Sequence, residues 1–140
     1  MNSRTLIQYA LAAAALGAGM AASAGDFAWT QEKVSPALNH AGREVAVRYA
    51  PAGNRGPGPG PGSVITAVYA ARDFQGAQVQ SKLCWNGTQR CVPLVGGGVR
   101  SQDFNGLDAG KPFYLVHTAQ GRGPLAQPLF ITGSVTVWYR

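Results

Sequence analysis

The sequence predicts an all-β protein: a single-domain β-sandwich of about seven to eight short antiparallel strands with one hairpin disulfide. Three observations carry this reading. Gly and Pro make up 28 of 140 residues, while charged residues are only 13%, so the Glu, Lys and Arg that long helices need are scarce. Several segments alternate apolar and polar residues with period two, the signature of a half-buried strand. The two cysteines, Cys84 and Cys91, are spaced to face one another across a hairpin. At 46% hydrophobic the chain is too apolar to be disordered throughout, and its length suits one domain.

In chain order, Phe27–Thr30 is a short first edge strand. Arg43–Ala50 sets Val45, Val47 and Tyr49 against Glu44, Ala46 and Arg48. Asn54–Gly62 reads NRGPGPGPG and predicts an extended surface loop, since Pro lacks a ladder donor and alternating Gly defeats a helix. Val64–Ala71 is apolar on both faces and suits a central strand. Ala77–Cys84 alternates again. Gly96–Gly98 is a loop, without the Lys-Ser/Thr that a phosphate cradle requires. Phe113–Thr118 and Leu129–Thr132 are further strands. Ser134–Arg140 closes the chain with Val135, Val137 and Tyr139 on one side and Ser134, Thr136, Trp138 and Arg140 on the other. The expected core is Val45, Val47, Tyr49, Ile65, Val68, Val79, Leu83, Val92, Leu94, Leu115, Val135 and Val137.

Residues 1–24 read as a signal peptide that is cleaved. Arg4 supplies the positive start, Leu6–Met20 the apolar stretch, and Ala22-Ser23-Ala24 the small-x-small cleavage pattern. The stretch is short for a spanning helix, and no later segment is apolar enough to cross a membrane, so no stable membrane insertion is expected. The domain then runs over 25–140. Arg4 is the only charge in the leader, which leaves 11 basic and 6 acidic residues in the domain. The basic residues are scattered and do not form a nucleic-acid patch. They keep the surface mildly cationic, or attract an anionic partner such as peptidoglycan or an acidic protein face.

In an exported chain two cysteines read as a disulfide. A hairpin centred between Gly87 and Thr88 sets Cys84 opposite Cys91, with Gly at the first central position of a type II′ turn. The same register sets Leu83 opposite Val92 and Ser81 opposite Leu94, so Leu83, Val92 and Leu94 share one face. A turn on Asn86-Gly87 would instead face Cys84 with Gln89 and leave both thiols free. Six residues separate the cysteines, against two in a redox-active motif. Two thiols and two distant histidines make a poor metal site.

No catalytic, cofactor-binding or metal-binding residue is assigned, and the protein reads as a non-enzyme. The two histidines, His40 and His117, and six acids form no motif: there is no Gly-x-Ser-x-Gly elbow, no His-Glu-x-x-His and no Cys with a neighbouring His. His117 shares a strand face with Phe113 and Leu115 and is expected as a hydrogen-bonded core or interface histidine; His40 is expected in a loop. Trp29, Trp85 and Trp138 suit packing between sheets, a protein interface or stacking on a sugar. Trp138 falls on the polar side of the last strand.

Several stretches together resemble the FlhE family of periplasmic flagellar proteins. They are Leu38-Asn39-His40-x-Gly42, Leu83-Cys84, Arg90-Cys91-Val92-x-Leu94 and the Gly-rich bend after it. Phe104-x-Gly106-Leu107, Pro112-Phe113-Tyr114-Leu115, Pro124, Pro128-Leu129 and Val135-x-Val137-x-Tyr139-Arg140 follow in order. The resemblance covers roughly Trp29 to Arg140; the Gly-Pro run at Pro57–Gly62 stands outside it. It implies a small periplasmic β-sandwich without cofactor that serves the flagellum, with flagellar rod or export-gate proteins as partners. It further implies a chaperone-like role in rod assembly and a role in limiting proton leak through the export gate.

The leading expectation is therefore a flagellar accessory protein that acts by binding. The C-terminal strand would act as an exposed edge that captures a partner segment, with Trp138 and Arg140 as the partner-binding residues. A peptidoglycan- or glycan-binding module is the second reading, and an enzyme inhibitor using the disulfide hairpin as a wedge is the third.

Overall fold

The computed structural model describes residues 27–51, 58–73 and 78–140. The leader and Asn54–Pro57 of the Gly-Pro run lie outside these. Ten strands form, and no helix occurs among the described residues. They are β1 (Phe27–Val34), β2 (Leu38–Ala41), β3 (Glu44–Tyr49), β4 (Ile65–Asp73), β5 (Val79–Trp85), β6 (Arg90–Pro93), β7 (Gly98–Ser101), β8 (Phe113–Ala119), β9 (Gly123–Leu129) and β10 (Thr132–Tyr139). A front sheet has the order β1-β10-β4-β7 and a back sheet the order β3-β8-β5-β6. A two-stranded ribbon, β2-β9, is the third sheet.

The two large sheets pack face to face because each strand turns its alternate apolar residues inward. Trp29, Val68, Ala70, Val135 and Val137 from the front sheet meet Val47, Tyr49, Leu83, Phe113 and Leu115 from the back sheet in one core. Phe104 from the β7–β8 connection packs edge-on against Phe113, with ring centroids 5.2 Å apart. A second cluster of Leu38, Val79, Ala119 and Ile131 lies at one end, with Val45 of β3 and Leu125 and Leu129 of the ribbon packed on it. Val45 and Val92, expected in the core, are only half-buried against it.

The strand count exceeds the expected seven to eight. The Asn39-His40-Ala41-Gly42 run reads as turn-like, yet β2 pairs with β9, so His40 sits in a strand opposite Pro124 and not in a loop. Pro124 and Pro128 hide β9 from a sequence reading, but among the described residues β9 pairs on one side only, and a missing donor on the other side costs nothing. The expected strand Leu129–Thr132 is split: Leu129 ends β9, Phe130 and Ile131 connect, and Thr132 starts β10. Gly98, read as loop, opens β7 after a tight turn closed by main-chain bonds between Val95 and Gly98. Gly96 and Gly97 hold φ of 65° and 90° there, the paired positive values a type I′ turn needs.

The cysteine hairpin has the expected register: Cys84 faces Cys91, Leu83 faces Val92, and Leu94 N–H donates to the Ser81 carbonyl. The disulfide is formed, with Cα atoms 4.0 Å apart. The turn differs from the two-residue type II′ form. Pairing ends at Trp85–Arg90, leaving four turn residues, and the left-handed backbone starts at Asn86 (φ 52°) before Gly87 (φ 132°). Asn86 N–H donates to the Pro112 carbonyl at 2.7 Å and anchors the turn to the start of β8. The loop opens by one residue on each side of the same Gly87–Thr88 midpoint, so the facing of the cysteines is unchanged.

Candidate interaction surface

The outer face of the front sheet is set by β10, whose residues alternate strictly between half-exposed and buried. Val135, Val137 and Tyr139 point inward, and Thr132, Ser134, Thr136 and Trp138 point out. The register builds cross-strand rows on the outer side. Thr30, Thr136, Tyr69 and Arg100 form one, and Ala28, Trp138 and Ala67 form the next. Within the first row the Thr30 and Thr136 hydroxyls hydrogen-bond at 2.9 Å. Ala67 is buried beside the indole of Trp138, and the Arg100 guanidinium lies over that ring, 5.2 Å from its centroid. Such a cation on an aromatic face gains about 0.5–1 kcal/mol at an exposed site.

The register shifts at Trp138/Tyr139, where Thr66 is the extra residue on β4. The bulge lets Ile65 and Val68 both face the core although they are three residues apart. Beyond it Arg140 exchanges main-chain bonds with Val64 in both directions, at 3.1 and 2.9 Å. An open cleft of about 310 Å³ forms there, lined by Thr66, Asn105, Gly106 and Arg140. The Thr66 hydroxyl is buried and has no hydrogen-bond partner among the described residues.

This topology corrects one expectation. β10 is not an edge strand: β1 and β4 pair along both its sides, so its main chain has no free ladder for a partner. A central strand with one solvated face shows the same alternation as an edge strand. On the β1/β3 flank, side chains span the gap between the sheets: Lys33 Nζ donates to the Arg48 carbonyl at 2.7 Å, and Ala50 N–H donates to Gln31 Oε1 at 2.9 Å. Such bonds blunt an edge against strand addition. Trp138 and Arg140 remain at the surface as side chains. Tyr69 and Arg100, which the sequence reading passed over, join Trp138 only through the register of β4 and β7.

The other tryptophans serve packing. Trp29 is 3% exposed in the core, and Trp85 packs partly against it with its indole N–H on the Asp108 carbonyl at 3.1 Å. His117 is wholly buried on the inner face of β8, and Ser81 Oγ lies 2.7 Å from its Nδ1. Burial, and then the nearby Arg72 charge, push its pKa down from 6.5 to about 4. This Ser-His pair is thus a core hydrogen bond on a neutral imidazole. The five described acids, Glu32, Glu44, Asp73, Asp103 and Asp108, are all exposed. Among the described residues no three His, Cys, Asp or Glu side chains gather to hold a metal. No helix among them is long and apolar enough to cross a membrane. On the outer face of the back sheet, an open cleft of about 390 Å³ runs beside the Lys82–Glu44 ion pair and Val116.

The described residues thus define a small all-β sandwich with a hairpin disulfide and an aromatic, cation-bearing outer face. The family model for flagellar protein FlhE matches residues 35–140, and the chain belongs to the FlhE family. A crystal structure of FlhE superposes with a TM-score of 0.68 at 27% identity, covering 84% of this chain and 99% of that one. A comparison with curated proteins finds no match.

Proposed function

We propose that this protein is exported to the periplasm and acts there by binding, without catalysis, in the service of flagellum assembly. Its partners are flagellar rod or export-gate proteins. Its role is chaperone-like during rod assembly, and it limits proton leak through the export gate. The observation that supports this reading is the family match over nearly the whole described domain. The formed disulfide agrees with an oxidising compartment. The leader lies outside the described residues, and its cleavage after Ala24 is part of the proposal.

A deletion strain tests it. Expected are impaired motility, filaments trapped beneath the outer membrane and faster cytoplasmic acidification in acidic medium, each restored by the wild-type gene. Normal swimming and normal proton retention in the deletion strain would overturn the proposal. Mass spectrometry of the mature protein checks cleavage, which predicts Gly25 as the first residue. Sedimentation with purified peptidoglycan tests the glycan-binding alternative, which the flagellar reading does not require.

A further inference from the structure

We infer that the Trp138 end of the outer face binds an acidic segment of a protein partner, with the Arg100 and Arg140 guanidiniums receiving its carboxylates. This rests on the reading above that the protein works by binding, and it names the surface and the chemistry of what binds.

The charge distribution on the face carries the argument. Phe27–Gln31 of β1, the whole of β10, Val64–Tyr69 and β7 contain no Asp or Glu. Glu32 and Asp73, the acids of β1 and β4, lie toward the far end of the face, in or beside the Ser134 and Thr132 rows. Among the described acids near this end, Asp108 lies across Val64, with its Oδ1 accepting the Gly110 N–H at 2.8 Å, and Asp103 lies in the connection after β7. Neither Arg100 nor Arg140 has an ion-pair partner among the described residues. Among the described residues, the Trp138 end thus holds two guanidiniums without an ion-pair partner, on strand segments that carry no Asp or Glu. A ligand that supplies carboxylates meets complementary potential there.

The rest of the surface selects a protein segment over a free anion. Arg100 is held against the indole of Trp138, so its planar fork is pre-organised and less freedom is lost per bond formed. Tyr69 is 42% exposed beside it in register. Trp, Tyr and Arg are the residues in which interface hot spots are enriched. The guanidinium already covers part of the indole, which leaves less ring for a sugar to stack on. The Thr66, Asn105 and Arg140 cleft continues the platform past the bulge, where the exposed Asn105 offers an amide partner for an extended main chain.

The test is a titration of the purified ¹⁵N-labelled protein, followed by amide and indole shifts. Three probes are used: a 12-residue peptide alternating Glu and Leu, its Gln-for-Glu counterpart, and soluble peptidoglycan fragments. The Glu peptide should shift the Trp138 indole N–H and the amides of β10, β4 and β7 around it. Its affinity should fall at least tenfold with Gln in place of Glu, and at least tenfold in the Arg100→Gln/Arg140→Gln variant. Trp138→Ala should weaken it further, and the double Arg variant keeps the test open if that protein misfolds. Equal binding of both peptides, shifts confined to another face, or a response to peptidoglycan fragments alone would overturn the inference. A deletion strain that swims normally would overturn the flagellar reading and leave the titration to decide this one.

Discussion

Gly133 lies directly against the phenol of Tyr49. A Cβ built at Gly133 would come 2.5 Å from the Tyr49 hydroxyl oxygen and 2.7 Å from Leu115 Cδ1. The glycine occupies an inward position of β10, where every other inward residue is large. The absent side chain is what lets the back sheet bring Tyr49 and Leu115 close to the front sheet. Glycine in a strand often marks such a close approach. Tyr49 is fully buried there, and burial, followed by the Glu32 charge, raises its pKa to about 12.

Gly133→Ala is therefore expected to destabilise the fold by about 1–3 kcal/mol through overpacking. Urea denaturation followed by tryptophan fluorescence measures this. Tyr49→Phe removes the closer of the two contacts, so it should recover part of the loss in the Gly133→Ala background. Full additivity of the two substitutions would show that the hydroxyl is not what the methyl meets.

Stability should fall on mild acidification because of His117. Its pKa is lowered in the folded state to about 4 and is near 6.5 when unfolded. Between these values the unfolded chain binds a proton that the folded one refuses. The contribution is fully present above pH 6.5 and is lost as pH falls toward 4, reaching about 3 kcal/mol. Denaturation midpoints from pH 8 to 4 should show the fall, and His117→Gln should flatten it. A His117 imidazole resonance that titrates near pH 6.5 in the folded protein would contradict this.

Ser81→Ala should cost about 1–3 kcal/mol, since it leaves the buried Nδ1 of His117 without its 2.7 Å partner. The readout is again the urea midpoint. The effect should be smaller in the His117→Gln background, because the two groups act as one hydrogen-bonded unit.

Removing the disulfide is expected to cost about 2–2.5 kcal/mol, the chain-entropy value for a short closed loop. Cys84 is fully buried, so Cys84→Ala/Cys91→Ala is a cleaner comparison than serine, which would bury a hydroxyl. Equal thermal midpoints for this variant and the oxidised protein would remove the bridge as a source of stability.

The Lys82–Glu44 pair serves as the contrasting case. Its atoms are 3.6 Å apart, with side chains 39% and 58% exposed. Solvent screening limits such pairs to about 0–1 kcal/mol, so Lys82→Gln should move the urea midpoint little.

Local chemistry made much of the fold legible. Val45, Val47 and Tyr49 alternate as a strand must, and the Cys84–Cys91 facing follows from the spacing and from Leu83, Val92 and Leu94 sharing a side. β9 was not legible: its prolines argue against a strand, and they are tolerated because, among the described residues, it pairs with β2 alone. Tyr69 and Arg100 were equally hidden. Tyr69 sits in a run that is apolar on both faces, and Arg100 follows a glycine bend. Neither neighbourhood says which strand lies alongside.

By itself the sequence determined the all-β class, the hairpin bridge, the buried side of most strands and a resemblance to FlhE, because these depend on residues near one another in the chain. Only the tertiary structure decided that the last strand lies inside its sheet, that Gly133 meets Tyr49, and that Arg100 lies over Trp138. Each of these depends on strand order and register, which arise from contacts among residues far apart in sequence, and period-two alternation reads the same whichever strand becomes the neighbour.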